Sequence, residues 1–165
     1  MEDNEGLARA KQVCWRLLAR RDHGEEELAR KLTKKGFPGE VFTGTIDYVR
    51  GLGYLNDKLF AAGQARRLAE DKGLGDRRLH SLLVQKGISA SLAEEAITAI
   101  RQEWSEEQAV RSLIKKKTKS RPLREDPPGK QRLFRYLLGR GFAPGLIYEL
   151  INRAEEEDGH DDDGK

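Results

Sequence analysis

A chain of 165 residues that is 37% hydrophobic and 36% charged, with a formal net charge of +3, suits one ordinary domain or a short repeat array with a thin core. No stretch approaches the roughly 20 apolar residues that a membrane span needs, which excludes a transmembrane helix. Cys14 is the single cysteine, so an intrachain disulfide and a cysteine-ligated zinc centre are excluded too.

The chain opens on Met-Glu-Asp-Asn-Glu, which has neither the basic nor the apolar region of a secretory leader, and a cytoplasmic location is expected. From there Leu7, Ala10, Cys14, Leu17 and Leu18 line one face of a helix that breaks near Arg20–Gly24, and Cys14 reads as a buried core thiol. Glu25, Glu26 and Glu27 open a second helix carrying Leu28 and Leu32, and Lys34 and Lys35 close it before Gly36. Acids first, bases last and a glycine beyond match the helix dipole and a left-handed C-terminal cap. Pro38 suits the first turn of a third helix that carries Val41, Phe42, Thr45, Ile46 and Val49 to about Gly51.

The same plan returns twice. Asn56 or Asp57 can cap a helix with Leu59, Phe60, Ala61 and Leu68 that stops near Gly73 and Gly75. Asp76 can cap Arg77 to Lys86, with Leu79, Leu82 and Leu83 inward and Gly87 as terminator, and Ser91 and Glu94 have capping-box spacing before Ile97 and Ile100. Ser105 and Gln108 give another such spacing ahead of Ala109, Val110, Leu113 and Ile114. A basic, proline-punctuated loop is expected from Lys115 to Gly129. Lys130–Arg140 and Pro144 to about Glu156 then complete the third set. Residues 155–165 hold seven acids and one lysine and are expected to be a disordered tail, which leaves 30 basic and 21 acidic residues in the body.

Aligned on Gly36, Gly87 and Gly141, the three sets share one frame. Leu32, Leu83 and Leu137 precede the glycine by four residues, a base stands directly before it, and Ile46, Ile97 and Ile151 follow it by ten. A period near fifty residues signals stacked helical units. The expected fold is all-α, an elongated, curved array of three tandem three-helix repeats over residues 7–54, 55–104 and 105–154, flanked by a flexible 1–6 and the acidic 155–165.

Within the second copy, Gly53-Tyr54-Leu55-Asn56-Asp57-Lys58-Leu59-Phe60-Ala61, followed by Arg66, Gly73, Leu79, Leu82 and Lys86-Gly87-Ile88, resembles the signature of the RecX family of recombination regulators. More weakly, the tandem units extend the resemblance over about residues 7–154. The resemblance implies a bacterial cytoplasmic protein that binds the RecA recombinase as a filament on DNA and usually restrains strand exchange and coprotease activity. It also implies binding of single- or double-stranded DNA with little sequence preference. Asn56 stands where an aspartate is commoner in that family, and either residue caps a helix.

Enzymatic chemistry has no foothold in the sequence. His23, His80 and His160 fall in separate places without metal-ligand spacing, and no nucleophile, base and orienting acid can be assembled. Glu25–Glu27 read as a helix start, and Gly73-Leu74-Gly75 is too short for a phosphate loop and lacks its lysine. No cofactor or metal is expected.

Cations are the candidates instead: Arg66, Arg67, Lys72, Arg77 and Arg78 around the central copy, and Lys115, Lys116, Lys117, Lys119, Arg121, Lys130, Arg132 and Arg135 in the third. Their expected partners are the RecA filament groove and DNA without sequence preference, with the protein acting as a monomer on strand exchange, ATPase and coprotease activity. A plain DNA-binding protein acting by occupancy is the alternative. Each cation also has a bland reading as a solvated helix face, and Lys35, Lys86 and Arg140 read first as helix C-terminal bases. Tyr54, Phe60, Trp15 and Trp104 read as core packing rather than as stacking platforms for bases.

Overall fold

Each of the three repeated glycines takes up a conformation that few other residues adopt, with φ +83° at Gly36, +87° at Gly87 and +92° at Gly141. Left-handed backbone lets the glycine N–H and the next N–H turn back onto the helix just ended. Gly36 donates to the Thr33 carbonyl (2.9 Å) and Phe37 to that of Leu32 (3.2 Å); Gly87 and Ile88 do the same to Val84 and Leu83, and Gly141 and Phe142 to Leu138 and Leu137. This pair of bonds is the Schellman closure, and it satisfies carbonyls that a helix end otherwise leaves bare.

The computed structural model describes residues 2–118 and 126–160. Within them lie α1 (Glu2–Leu18), α2 (Glu25–Lys34), α3 (Gly39–Gly51), α4 (Asp57–Arg66) continuing as a π-helical segment (Arg67–Asp71), α5 (Asp76–Gln85), α6 (Ala90–Glu103), α7 (Glu106–Thr118), α8 (Pro127–Gly139) and α9 (Pro144–His160). No strand occurs among the described residues, and the fold is an all-α tandem of three-helix repeats. The chain forms two compact units, one of residues 1–64 with 82–96 and one of 65–81 with 97–165, so the boundary passes through α4, α5 and α6.

In the first unit Ala10, Cys14, Leu28, Leu32, Val41, Ile46 and Val49 form the core. In the second, Ala109, Val110, Ile114, Leu133, Leu137, Phe142, Ile147, Leu150 and Ile151 do so. Full burial of one such large aliphatic or aromatic side chain is worth about 1.5–3 kcal/mol. Thr45 sits wholly inside because its hydroxyl donates to the Val41 carbonyl at 2.7 Å.

The repeated frame also builds the contacts from one repeat to the next. Eleven residues before the glycine and fourteen after it stands a pair of opposite charge: Glu25 with Arg50 and Asp76 with Arg101. Arg50 Nε donates to Glu25 at 3.1 Å and Arg101 Nε to Asp76 at 2.7 Å. The backbone N–H of each of these acids is in turn taken by an acid at the start of the next repeat's first helix, Asp57 for Glu25 (3.0 Å) and Glu106 for Asp76 (2.8 Å). Against the same helix start lies the next repeat's glycine, so closely that a Cβ on Gly87 would meet Glu26 at 2.5–2.7 Å and one on Gly141 would meet Arg78 at 2.6 Å. In the third repeat the pair is inverted to Lys130 and Glu155, which are salt-bridged.

Several local expectations shift. Pro38 is the residue before α3 rather than its first turn, and the α6 cap is Ser89, whose hydroxyl accepts from Leu92, not Ser91. Asp76 serves Arg101 instead of capping α5. The loop expected at 115–129 is shorter, because α7 keeps Lys115, Lys116 and Lys117 in its last turn and Asp126 caps an α8 that already begins at Pro127. Glu155–Glu157, assigned to a disordered tail, continue α9; residues 161–165 lie outside the described residues. Tyr54 is 58% exposed and Leu59 70%, against the expected core packing, while Phe60 is buried. Buried Phe60, Ala61, Ala65 and Leu68 mark the inner face of α4 and its continuation, and helical spacing sets Leu59 opposite most of them.

His23 is buried with Nδ1 2.8 Å from the Arg21 carbonyl and Nε2 2.8 Å from the Lys31 ammonium. Only the neutral tautomer with a proton on Nδ1 satisfies both. Burial first, then the neighbouring cations Arg21 and Lys31, lower its pKa from 6.5. Burial pushes Glu27 upward, but hydrogen bonds from Arg21 and Lys31 outweigh it and bring the carboxyl down to about 2.

Two outcomes are expected. A base with a lowered folded pKa stabilises the fold fully above its ordinary value of 6.5 and loses that contribution as pH falls below it, whereas Glu27 contributes above 4.5 and fails only in stronger acid. The urea midpoint of the wild type should therefore fall from about pH 7 to about pH 5 more steeply than that of His23→Gln; parallel curves would contradict this. In a glycine series, Gly36→Ala meets no described residue within 4 Å and should cost only backbone strain, about 1–2 kcal/mol. Gly141→Ala adds a clash with the Arg78 backbone worth about 1–3 kcal/mol more, with Gly87→Ala between them. Urea unfolding measures the order, and Gly36→Ala as the most damaging change would contradict it.

Candidate functional site

Sorting the candidate cations by their neighbours separates two groups. Arg66 is held by Glu70 at 3.1 Å and by Glu103, Lys130 by Glu155 and Asn152, and Arg132 by Asp126 at 3.3 Å. Those charges are largely spent on the fold. No described carboxylate lies within 4.0 Å of Lys72, Arg77, Arg78, Lys115, Lys116, Lys117 or Arg135, and all seven are exposed. Arg67 is exposed on the π-helical segment, and Lys119 and Arg121 lie outside the described residues.

The unneutralised group belongs to the second compact unit, where three lysines in the last turn of α7 sit at the negative end of its dipole. Successive residues turn by about 100° around a helix, so the three do not share one face. Lys116 and Lys117 join Lys72, Gly73, Trp104, Leu113, Tyr136 and Arg140 in lining a cleft of about 320 Å³, with Glu70 and Asp71 also on its wall. Lys115 is not part of the lining.

Arg140 gives the cleft a fixed edge. Its guanidinium donates to the carbonyls of Lys72 and Gly73, just past the end of the α4 extension. Arg140 also lies 4.7 Å from the Tyr136 ring centre, and the Lys117 ammonium stands 4.8 Å from the same centre. The backbone beneath is tied by the Gly75 N–H, which donates to the Arg140 carbonyl at 2.9 Å. Arg101 locks the other side, donating to Asp76, to the Leu74 carbonyl at 2.8 Å and to the Trp104 carbonyl at 3.1 Å. Burial raises the pKa of Glu106, whose carboxyl accepts the Asp76 N–H.

Sequence reasoning missed Tyr136 and Arg101 and gave Arg140 only a capping role in its own helix. The signal for Arg101 was present in the offsets from the glycine, and for Tyr136 in its four-residue spacing from Arg140. In the first unit, Trp15 is half-buried and meets exposed Tyr54 edge to face at 4.8 Å, and Lys11 stands 3.8 Å from the Tyr48 ring centre. Cys14 is wholly buried and its pKa is raised by desolvation, which makes it an inert thiol. Among the described residues no group of three or more His, Cys, Asp or Glu side chains could hold a metal ion, and no helix is long and apolar enough to cross a membrane.

Comparison with known proteins places this architecture. The profile described as RecX, first three-helix domain, matches residues 10–48; the second three-helix domain matches 56–97 and the third 105–151. The chain is 39% identical over 152 residues to the regulatory protein RecX of Vibrio cholerae serotype O1 (strain M66-2), covering 92% of this chain and 97% of the relative. Similarity to the regulatory protein RecX of Amycolatopsis mediterranei (strain U-32) is 31% over 155 residues, or 94% and 88% of the two chains. The crystal structure of RecX from Lactobacillus salivarius superposes with a TM-score of 0.79 over 92% of this chain and 98% of that one, at 18% identity, which speaks for the fold alone. With all three helical domains matched in order and full-length relatives above 30% identity, the chain belongs to the RecX family of regulatory proteins.

Proposed function

We propose that the protein is a modulator of RecA that lies in the groove of the RecA filament on DNA and restrains strand exchange, ATP hydrolysis and coprotease activity. The observation that carries this reading is its 39% identity, over 92% of its length, to a protein named regulatory protein RecX. The unneutralised cations of the second unit support a phosphate-facing role, because Lys and Arg without carboxylate partners are the groups that neutralise a nucleic-acid backbone. Action is stoichiometric, by a cytoplasmic monomer whose repeats bridge neighbouring protomers and the DNA they hold. Binding of single- and double-stranded DNA is sequence-tolerant in this reading, since the cations offer contact to phosphates, which carry no sequence information.

Occupancy of DNA alone is the second reading, favoured by the same cations. Salt separates the two, because each single-strand phosphate contact adds roughly −0.7 to the slope of log affinity against log salt. Under the first reading, equimolar or lower protein added to RecA on single-stranded DNA lowers ATP hydrolysis and strand exchange, and the effect persists at salt that abolishes binding to bare DNA. Unchanged RecA activities would overturn the proposal; an effect that vanishes together with bare-DNA binding would favour occupancy.

A further inference from the structure

We infer that the cleft between the last turn of α7, α8 and the Lys72–Gly73 turn is a binding site for the phosphodiester backbone of single-stranded nucleic acid. This rests on the proposed DNA binding and deepens it by naming the place. Lys72, Lys116 and Lys117 supply the phosphate contacts, and Tyr136 positions Lys117.

Four cations and two carboxylates line the cleft. Glu70 is engaged by Arg66 and Arg140 is committed to backbone carbonyls, so three ammonium groups face Asp71 as the remaining acid on the wall. Crowded ammonium groups repel one another, and an anion among them relieves that repulsion. The α7 dipole explains why lysines sit in the last turn but not why two of them line a cleft together with Lys72.

Trp104 also lines this cleft, so its indole reports on what enters it. Tyr136, with one cation 4.7 Å and another 4.8 Å from its centre, holds charge in place and is no stacking platform, which favours the backbone over a base as the bound group. The volume of about 320 Å³ lies at the small end of ligand clefts and suits one nucleotide's backbone rather than a folded duplex.

The chain has only two tryptophans, so Trp15→Phe leaves Trp104 as the sole indole reporter. In that background, oligo-dT titrated at low salt should change Trp104 emission saturably, with the same midpoint that anisotropy of labelled oligo-dT gives. Lys116→Gln with Lys117→Gln should weaken binding roughly tenfold or more and flatten the log–log salt slope by about 1.4. Tyr136→Leu, which keeps both lysines, should weaken binding less; circular dichroism and the urea midpoint confirm that each variant is folded. Oligo-dT that binds by anisotropy with unchanged affinity in the double variant and a silent Trp104 overturns this site while leaving DNA binding intact. No oligo-dT binding by the wild type overturns the DNA reading and the site together. Poly-glutamate that displaces oligo-dT at equal concentration of charge also overturns the proposal, by making an acidic peptide the ligand.

Discussion

The structure depends on a left-handed glycine that does two things at once. At Gly36, Gly87 and Gly141 the positive φ closes the second helix of a repeat through paired Schellman bonds, and at Gly87 and Gly141 the missing side chain also lets the turn press against the second helix of the repeat before it. At Gly36 no described residue lies within 4 Å of the absent Cβ. Intra-repeat closure and inter-repeat stacking are thus assigned to one residue. Around it the acid and arginine pairs Glu25–Arg50 and Asp76–Arg101 tie the second helix to the third, and Asp57 and Glu106 carry the bond onward to the next repeat.

The shared leucines, glycine and isoleucine of the frame specify packing, and in the proposed reading recognition falls to positions where the copies differ. Lys116 and Lys117 fall in the last turn of α7, and Tyr136 lies on, with Arg140 directly after, a helix whose inner face is already filled by Leu133 and Leu137. Such positions can change without disturbing the core. Charge is divided too: Arg50 and Arg101, which tie the repeats internally, have carboxylate partners, whereas no described carboxylate pairs with Lys72 or Lys116.

Features set by neighbours in sequence were legible before the structure. Ser105 and Gln108 form the reciprocal capping box that their spacing announced, with bonds of 3.1 and 2.9 Å, and all three glycine terminators are left-handed as expected. Asn56 accepts from Leu59 at 3.0 Å, as a cap should. What failed was set by distant partners or by competing local signals. Ser91 has the capping-box spacing, but the helix starts earlier and Ser89 supplies the oxygen. Lysines 115–117 read as loop because prolines follow them, yet apolar Val110 and Ile114 carry the helix through to Thr118. Tyr54 reads as core beside Leu55 and Leu59, yet it stands 58% exposed with its ring edge to face against Trp15. The pairs Glu25–Arg50 and Asp76–Arg101 span 25 residues and become visible only when the copies are aligned on their glycines.

The central claim is that the glycine frame is scaffold and that the working surface is the cationic face of the second compact unit. Hydrogen exchange of the full chain, free and on a RecA filament assembled on single-stranded DNA, tests it most directly. The account predicts slowed exchange in the last turn of α7 and along α8, with α1 to α3 nearly unchanged. Protection confined to α1–α3, with the ends of α7 and α8 exchanging as in the free chain, would contradict it.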